Sequence, residues 1–207
     1  MAVIDHLVIA VPDLDRGIDW FEQSVGIRPA FGGAHDGMGT HNALASLGDS
    51  YVELIAPDPN QPEPSGPRPF GVNRDSDPAL VTFAARPSDG ETIEYLANVM
   101  RSNGHEPGPL AEMSRTTSDG TTLRWRLTFP TGERDGFVPF LIDWGDTPHP
   151  ASTAPDGARL IELRGATTQH LEVNAVLDAI GIGGFASGGS TGLAAALAGP
   201  GERIWSI

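Results

Sequence analysis

The 207-residue chain contains no cysteine. This absence excludes disulfide bonds and thiolate metal ligands, and it is typical of cytoplasmic proteins. The sequence also lacks any apolar run approaching the roughly 20 residues that span a bilayer. Its first residues lack the basic and apolar segments of a signal peptide. We therefore expect a cytoplasmic protein that does not bind or cross a membrane.

Positive charge is scarce as well, since 13 Lys and Arg residues face 27 Asp and Glu residues and the formal net charge is −14. Such a surface repels phosphate groups, which argues against binding to nucleic acid. The apolar fraction, 39%, is low, while Gly (26 residues) and Pro (18 residues) are abundant. This composition predicts many turns and short strands rather than long helices.

The first part of the chain has a clear order of elements. Residues 3–11 are rich in Val and Ile, which predicts a strand. Asp13 is a good N-cap for the next segment, whose apolar residues recur at helical spacing. Three further strands are predicted at residues 28–34, 40–47 and 51–56. The predicted order is βαβββ.

The same order of elements then starts again. Residues 58–78 form a Pro- and Gly-rich connector without hydrophobic periodicity, and a second βαβββ pattern occupies residues 79–150. A partial βα unit follows at residues 151–207, and we expect it to pack on the same domain. Short turns between the strands favour antiparallel neighbours. With a first module at residues 1–57, the chain is predicted to be an α+β protein built from tandem βαβββ modules.

Two ionisable side chains lie inside apolar, strand-like runs. His6 lies within residues 4–11 and Glu53 lies within residues 51–55. An imidazole or a carboxylate is costly to bury without a partner, and both groups are ligands of divalent metals. Each also has a structural interpretation, which is a hydrogen bond to backbone for the histidine and an ion pair with an arginine for the glutamate.

Five short runs are distinctive, namely IDHLV at 4–8, VPDL at 11–14, GTHNAL at 39–44, YVELI at 51–55 and FLIDWG at 140–145. In these runs the chain resembles the glyoxalase-like domain branch of the vicinal oxygen chelate superfamily. The resemblance implies two modules that curve into a mixed sheet around a cleft. In such proteins the first-strand His and last-strand Glu of a module hold a divalent ion, often with a second such pair. The substrate chelates that ion through adjacent oxygens.

The resemblance implies metal-binding roles for His6 and Glu53, with Glu53 also the expected catalytic base. The ion is expected to be Zn, Ni, Mn or Fe. The second module departs from the pattern, because an offset of 75 residues matches His6 with Val81, which cannot bind metal. Asp143 is the position that looks like Glu53. We expect Asp143 or His149 to complete the ligand set.

His41 is a candidate substrate contact. If Leu47 pairs with Tyr51 across the turn, His41 shares the face of Glu53 but lies four residues further along the strand, about 13 Å away. This distance favours a substrate contact or a structural role over metal ligation. A triad of His6, His41 and Glu53, which suits non-haem iron, stays open as an alternative.

Other candidate substrate contacts lie in the second module. Arg124 and Arg126 alternate with Trp125, so the two arginines share one face of a strand. One of them is a candidate for neutralising a substrate carboxylate, and a solvated strand face is the alternative. Trp144 is a further candidate contact.

Three functions are compatible with these features. The first is a divalent-metal-dependent lyase or isomerase that acts on a small oxygenated substrate. The second is a metal-free protein that binds small molecules, which Val81 and the supply of aromatic residues favour. The third is an extradiol-type dioxygenase. A homodimer is expected by analogy.

Overall fold

The computed structural model describes residues 1–75, 77–88, 90–116, 122–129 and 136–207. The first module consists of β1 (Ala2–Ala10), α1 (Leu14–Val25), β2 (Ala30–His35), β3 (Thr40–Ser46) and β4 (Tyr51–Pro57). The second consists of β5 (Ala79–Pro87), α2 (Ile93–Ser102), β6 (Leu110–Thr116), β7 (Thr122–Thr128) and β8 (Phe140–Asp143). The third unit consists of β9 (Arg159–Ala166), α3 (His170–Ile180), β10 (Ala186–Ser187), β11 (Gly192–Ala198) and β12 (Ile204–Ser206). The predicted α+β class and tandem βαβββ order are confirmed.

The strands of the first two modules form one curved mixed sheet in the order β2-β3-β4-β1-β5-β8-β7-β6. In each module the last strand lies parallel to the first, β4 on β1 and β8 on β5. The two modules join through the antiparallel pair of β1 and β5. The edge strands β2 and β6 approach each other, so the sheet nearly closes around an interior space.

Local sequence signals set the ends of the two module helices. The Asp13 side chain accepts a hydrogen bond from the Arg16 N–H at 3.0 Å and caps α1. Gly26 ends α1 with a φ of 91°, a conformation that glycine adopts without the steric cost of a Cβ. The Thr92 hydroxyl caps α2 by accepting from the Tyr95 N–H at 3.1 Å.

The two faces of the central sheet carry different layers. The outer face packs on α1 and α2 through fully buried side chains such as Leu7, Leu54 and Phe83. The inner face carries a separate group of apolar side chains, among them Val8 and Ile55. Because side chains alternate along a strand, each strand supplies both the packed layer and the wall of the interior space.

The third unit forms a small sheet in the order β10-β9-β11-β12. Its helix α3 contacts α2, and β11 contacts β5. The buried side chains of Val176, Leu177 and Leu197 belong to the same hydrophobic cluster as those of α1 and α2. The third unit therefore extends the outer layer of the core. None of the described helices is long and apolar enough to cross a bilayer.

Gly199 lies where the chain leaves β11 and passes the end of α1. A Cβ at this position would lie 1.8 Å from the carbonyl oxygen of Val25, which is backbone and has little room to move. We expect Gly199→Ala to lower the free energy of unfolding in urea by roughly 1–3 kcal/mol, the usual cost of overpacking. Gly192→Ala is the control, because no atom lies within 4 Å of its added Cβ. Equal stability of the two variants would contradict the packing described here.

Candidate functional site

A cavity of about 1010 Å³ lies inside the curved sheet. Apolar and aromatic side chains make up much of its wall, and the first module supplies a cluster of polar side chains. With one arginine from β6, that cluster consists of His6, His35, Asn42, Glu53 and Arg115. The structure thus brings His6 and Glu53, the two residues singled out from the sequence, into one cavity.

A β-bulge in β1 brings two consecutive side chains together. The pairing of β1 with β5 shifts register between Ile4 and His6, which leaves Asp5 as the extra residue of the bulge. His6 Nδ1 lies 2.7 Å from Asp5 Oδ1. Asp5 Oδ2 accepts a hydrogen bond from Trp144 Nε1 at 3.2 Å and lies 3.0 Å from His149 Nε2. Asp5 therefore fixes the orientation of the His6 ring.

The charge state of Asp5 follows from its surroundings. Its side chain is fully buried. Burial alone would raise the pKa of Asp5, but hydrogen bonds from His149 and His6 outweigh this effect and hold the pKa well below its ordinary value. Because the carboxylate is charged, it accepts the N–H of His6 at Nδ1. This leaves Nε2 of His6 for contacts in the cavity.

Glu53 lies beside His6 because β1 and β4 are parallel and in register. Val8 pairs with Glu53, so the side chains of His6, Val8 and Glu53 project from the same face of the sheet. His6 Nε2 lies 3.6 Å from Glu53 Oε2. Tyr51 stacks on the His6 ring with centroids 4.5 Å apart. The imidazole and the carboxylate are thus held next to each other at the cavity wall.

Asn42 links the remaining members of the polar cluster. Its Nδ2 donates to Glu53 Oε1 at 2.6 Å and lies 3.1 Å from His35 Nε2. Its Oδ1 accepts from the Arg115 guanidinium at 3.3 Å. His35 Nδ1 lies 3.0 Å from the Thr40 hydroxyl. Burial lowers the pKa of His35, so its ring is neutral at neutral pH and accepts the Asn42 hydrogen bond.

His41 lies on the other face of β3. Glu53 pairs with Leu44 rather than with Ala45, the partner expected from the turn. A shift of one residue moves every side chain of a strand to the opposite face. Asn42 therefore faces the cavity and His41 does not line it. The expectation that His41 shares the face of Glu53 is wrong, and the alternative iron triad is not assembled.

The two arginines expected to contact a substrate also project away from the cavity. Trp125 lines the cavity, so its neighbours Arg124 and Arg126 lie on the opposite face of β7. Arg124 is exposed. Arg126 forms ion pairs of 2.5 Å with Glu94 and with Asp143. Neither arginine is placed to bind a ligand in the cavity.

Of the three remaining second-module residues expected near the metal or the substrate, only Trp144 lines the cavity. Asp143 is held by its ion pair with Arg126. His149 lies against the far oxygen of Asp5, at 3.0 Å from Oδ2, and is not part of the cavity wall. Neither Asp143 nor His149 therefore completes a ligand set with His6.

The structure corrects the alignment of the two modules. Val8 lies beside Glu53 in the parallel pair of β1 and β4, and Ala84 lies beside Phe140 in the parallel pair of β5 and β8. Val8 and Ala84 are related by the approximate twofold symmetry of the central β1 and β5 pair. Phe140, and not Asp143, therefore corresponds to Glu53.

The same symmetry identifies the residue of the second module that is equivalent to His6. His6 pairs with Ala84, and Val8 pairs with Thr82, so Thr82 rather than Val81 corresponds to His6. Thr82 is buried and lines the cavity. A threonine here and a phenylalanine at the other position supply no imidazole or carboxylate. The second module therefore contributes no pair like that of the first.

These residues do not fit a resident divalent metal. In the part of the chain that the structure describes, no group of three or more His, Asp or Glu side chains is arranged to hold a metal ion. His6 and Glu53 supply two donors, whereas catalytic zinc sites have three protein ligands. His35 Nε2 lies 3.6 Å from Glu53 Oε1, but the Asn42 amide bonds both groups and occupies the space between them.

Sequence reasoning missed three members of the cluster. His35 and Arg115 had the sequence pattern of surface residues, and Asn42 carried no signal of its own. The placement of Asn42 depends on the register of the β3–β4 hairpin. The placement of Arg115 depends on its partner Leu123 across β7. The alternation of Met113 with Arg115 is the only local signal that both side chains face inward.

Comparison with known proteins gives one family and several similar solved structures. The family model described as a glyoxalase-like domain matches residues 4–181. No curated protein matches the chain. A hypothetical protein from Staphylococcus aureus aligns with a TM-score of 0.65 at 16% identity, covering 100% of this chain and 86% of that one. This structure supports the fold over the whole length.

Two solved epimerase structures are also similar. Methylmalonyl-CoA epimerase from Mycobacterium tuberculosis aligns with a TM-score of 0.43 at 20% identity, covering 72% of this chain and 91% of that one. A methylmalonyl-CoA epimerase in complex with methylmalonyl-CoA and NH4+ aligns with a TM-score of 0.43 at 20% identity, covering 71% of this chain and 97% of that one.

Proposed function

The chain belongs to the glyoxalase-like domain family of the vicinal oxygen chelate superfamily, and on this basis we propose that it is an enzyme of the lyase or isomerase type that acts on a small oxygenated substrate. One observation carries the proposal. The Glu53 side chain is 10% exposed, the Asn42 amide donates to its Oε1 at 2.6 Å, and its Oε2 lies beside His6 at the cavity wall. Glu53 is thus a positioned base inside a cavity.

The chemistry that this arrangement supports is proton transfer next to a carbonyl group. Glu53 Oε2 accepts a proton from the carbon beside the carbonyl, the C–H electron pair moves into the carbonyl, and an enolate forms. His6, with the ring oriented by the Nδ1 contact to Asp5, presents Nε2 beside Glu53 as an acceptor for a hydroxyl proton of the substrate. Glu53 then returns its proton to the same or a neighbouring atom. Asn42 fixes the carboxylate through both stages.

We assign no step to a metal ion, because the residues present do not complete a metal shell. In the proposed site a chelator is therefore expected to leave activity unchanged within about twofold, since the base and its partners belong to the chain. The measurement is activity before and after dialysis against EDTA, with zinc, manganese, nickel and iron tested for restoration. Loss of activity on chelation, with recovery on addition of one ion, would restore the metal-dependent interpretation.

The proposed activity is tested by solvent exchange. The intact chain is incubated in deuterium oxide with α-ketobutyrate and with phenylpyruvate, and the proton signal of the carbon beside the carbonyl is followed by NMR. We expect this signal to disappear faster than without protein. Exchange at the uncatalysed rate with both compounds, under conditions in which they bind, would count against the enzyme.

A second candidate function is small-molecule binding without turnover. The aromatic wall of the cavity favours it. Phe70 stacks on Phe140 with centroids 5.4 Å apart, and Trp125 lies 5.4 Å from Trp144. Such rings bind planar ligands through stacking. Ligand binding with no proton exchange would favour this function. The homodimer and the cytoplasmic location expected from the sequence stay predictions.

A further inference from the structure

We infer that the ligand of the cavity is a carboxylic acid whose carboxylate pairs with Arg115. This inference deepens the proposed function and rests on it, because it names the class of substrate that Glu53 would act on. The acid would place its carboxylate at Arg115 and its reacting carbon at Glu53.

Arg115 is a buried cation at the cavity wall. The residue is 7% exposed and is one of those that line the cavity. Within the described ranges, no carboxylate oxygen lies within 4.0 Å of its guanidinium. Its protein acceptor there is an uncharged one, Asn42 Oδ1 at 3.3 Å. A buried charge is costly unless it is paired, so the cavity is suited to an anion.

Arg68, another arginine of the cavity wall, differs from Arg115 because its charge is paired within the protein. It also belongs to the wall, but it forms an ion pair of 2.5 Å with Glu63 and donates to the Gly39 carbonyl at 3.0 Å. Its charge is already compensated. Of these two arginines, Arg115 is the one that has N–H donors to offer a ligand.

Asn42 explains why Arg115 does not pair with Glu53. The amide lies between them, with Nδ2 on Glu53 Oε1 and Oδ1 on the guanidinium. A direct ion pair would neutralise the base and the cation together. The amide instead keeps Glu53 able to accept a proton and keeps Arg115 able to bind an anion. One amide separates the two groups, so a short acid with a carbonyl a few bonds from its carboxylate spans them.

Gly32 on the edge strand β2 leaves room for the side chains of Asn42 and Arg115 because it has no Cβ. A Cβ at Gly32 would lie 2.3 Å from Asn42 Oδ1 and 2.6 Å from Arg115 Nη1. Any larger residue would push the amide or the guanidinium away. The closing edges of the sheet thus hold both groups in place, and a guanidinium held in this way suits the planar, bidentate pairing that carboxylates make.

The test compares acids with their uncharged esters. Binding of α-ketobutyrate and phenylpyruvate, each against its methyl ester, is measured by calorimetry on the intact chain. We expect the acids to bind at least about tenfold more tightly than the esters, as one charge-assisted hydrogen-bonded pair provides. In Arg115→Gln this preference is expected to fall to within about twofold. Arg126→Gln, which removes an arginine from the outer face of β7, is expected to keep it.

Several results would overturn the inference. These are esters that bind as tightly as the acids, no binding of either acid, or a preference that survives Arg115→Gln. If that variant does not fold, Arg115→Lys replaces it, and we expect a weakened but measurable preference for the acids. An acid preference that depends on Arg115, without any proton exchange, would refute the proposed enzyme and leave the ligand class standing. Proton exchange without an acid preference would refute the inferred ligand class and leave the proposed enzyme standing.

Discussion

Glu53→Gln is expected to slow deuterium exchange by at least about 100-fold, because removing a positioned general base typically costs a factor of 10² to 10⁴. Glutamine has the shape of glutamate and retains an oxygen that accepts the Asn42 N–H, so the cavity should keep its form. The measurement is the exchange rate at saturating ligand, together with the dissociation constant. We expect the acids to bind the variant at least as well as the wild type, because a negative charge near the ligand has been removed.

Glu112→Gln is the matched control for this experiment. Glu112 is exposed on β6, and its partner across the strands is Arg126 on the outer face. The control should exchange at the wild-type rate. If Glu53→Gln retains more than about a tenth of the wild-type rate, Glu53 is not the base and the proposed mechanism fails. If both variants lose activity equally, the loss reflects a general effect of removing negative charge.

Strand periodicity predicts the strands that carry His6 and Glu53, whereas the pairing of these two residues in one site was implied by the resemblance to the glyoxalase-like domain branch. His6 and Glu53 lie inside apolar runs that predict two strands. Because β4 is parallel to β1, their side chains meet without any special turn. The ends of α1 also follow from local sequence signals, since Asp13 caps its start and Gly26 caps its end. The helix ends needed no knowledge of long-range contacts, whereas the meeting of His6 and Glu53 depends on the long-range pairing of β1 with β4.

The register of the β3–β4 hairpin did not follow from the sequence. Ser46 pairs with Tyr51, and the Leu47 N–H bonds the Ser50 carbonyl at 2.8 Å, so the connection is one residue longer than the expected turn. This single difference exchanges His41 for Asn42 at the cavity wall. Turn length is decided by local geometry that several sequences satisfy equally well, and every side chain on the strand depends on it.

The bulge at Asp5 could not be predicted from the sequence either. Strict alternation places Asp5 and His6 on opposite faces, whereas the extra residue brings them together. In the second module, the match of Asp143 to Glu53 rested on a similar-looking run. The strand pairing instead matches Phe140. Bulges and strand offsets are set by pairing partners far away in the chain, which no local pattern records.

Asp5→Ala is expected to lower the free energy of unfolding by about 3–5 kcal/mol, the usual cost of leaving a buried charge cluster without its partner. The carboxylate accepts from His6, His149 and Trp144, and Arg86 lies 3.4 Å from it. His6, His149 and Trp144 would lose this acceptor at once, and Arg86 would keep its bonds to the Ile4 and Asp49 carbonyls. Urea unfolding measures the loss. The control Asp143→Ala removes a carboxylate from a partly exposed ion pair, and we expect it to cost no more than about 1 kcal/mol.

The dependence of stability on pH gives a second measurement of the same contact. Since hydrogen bonds hold the pKa of Asp5 well below its ordinary value against the opposing effect of burial, its contribution is complete above about pH 4 and is lost as the pH falls towards the folded-state pKa. The wild type should therefore lose stability between about pH 4 and pH 2 more steeply than Asp5→Asn, which has no carboxylate to protonate. Identical slopes for the two proteins would mean that Asp5 is not held as a charged acceptor. His6 would then lack the fixed orientation on which its proposed role next to Glu53 depends.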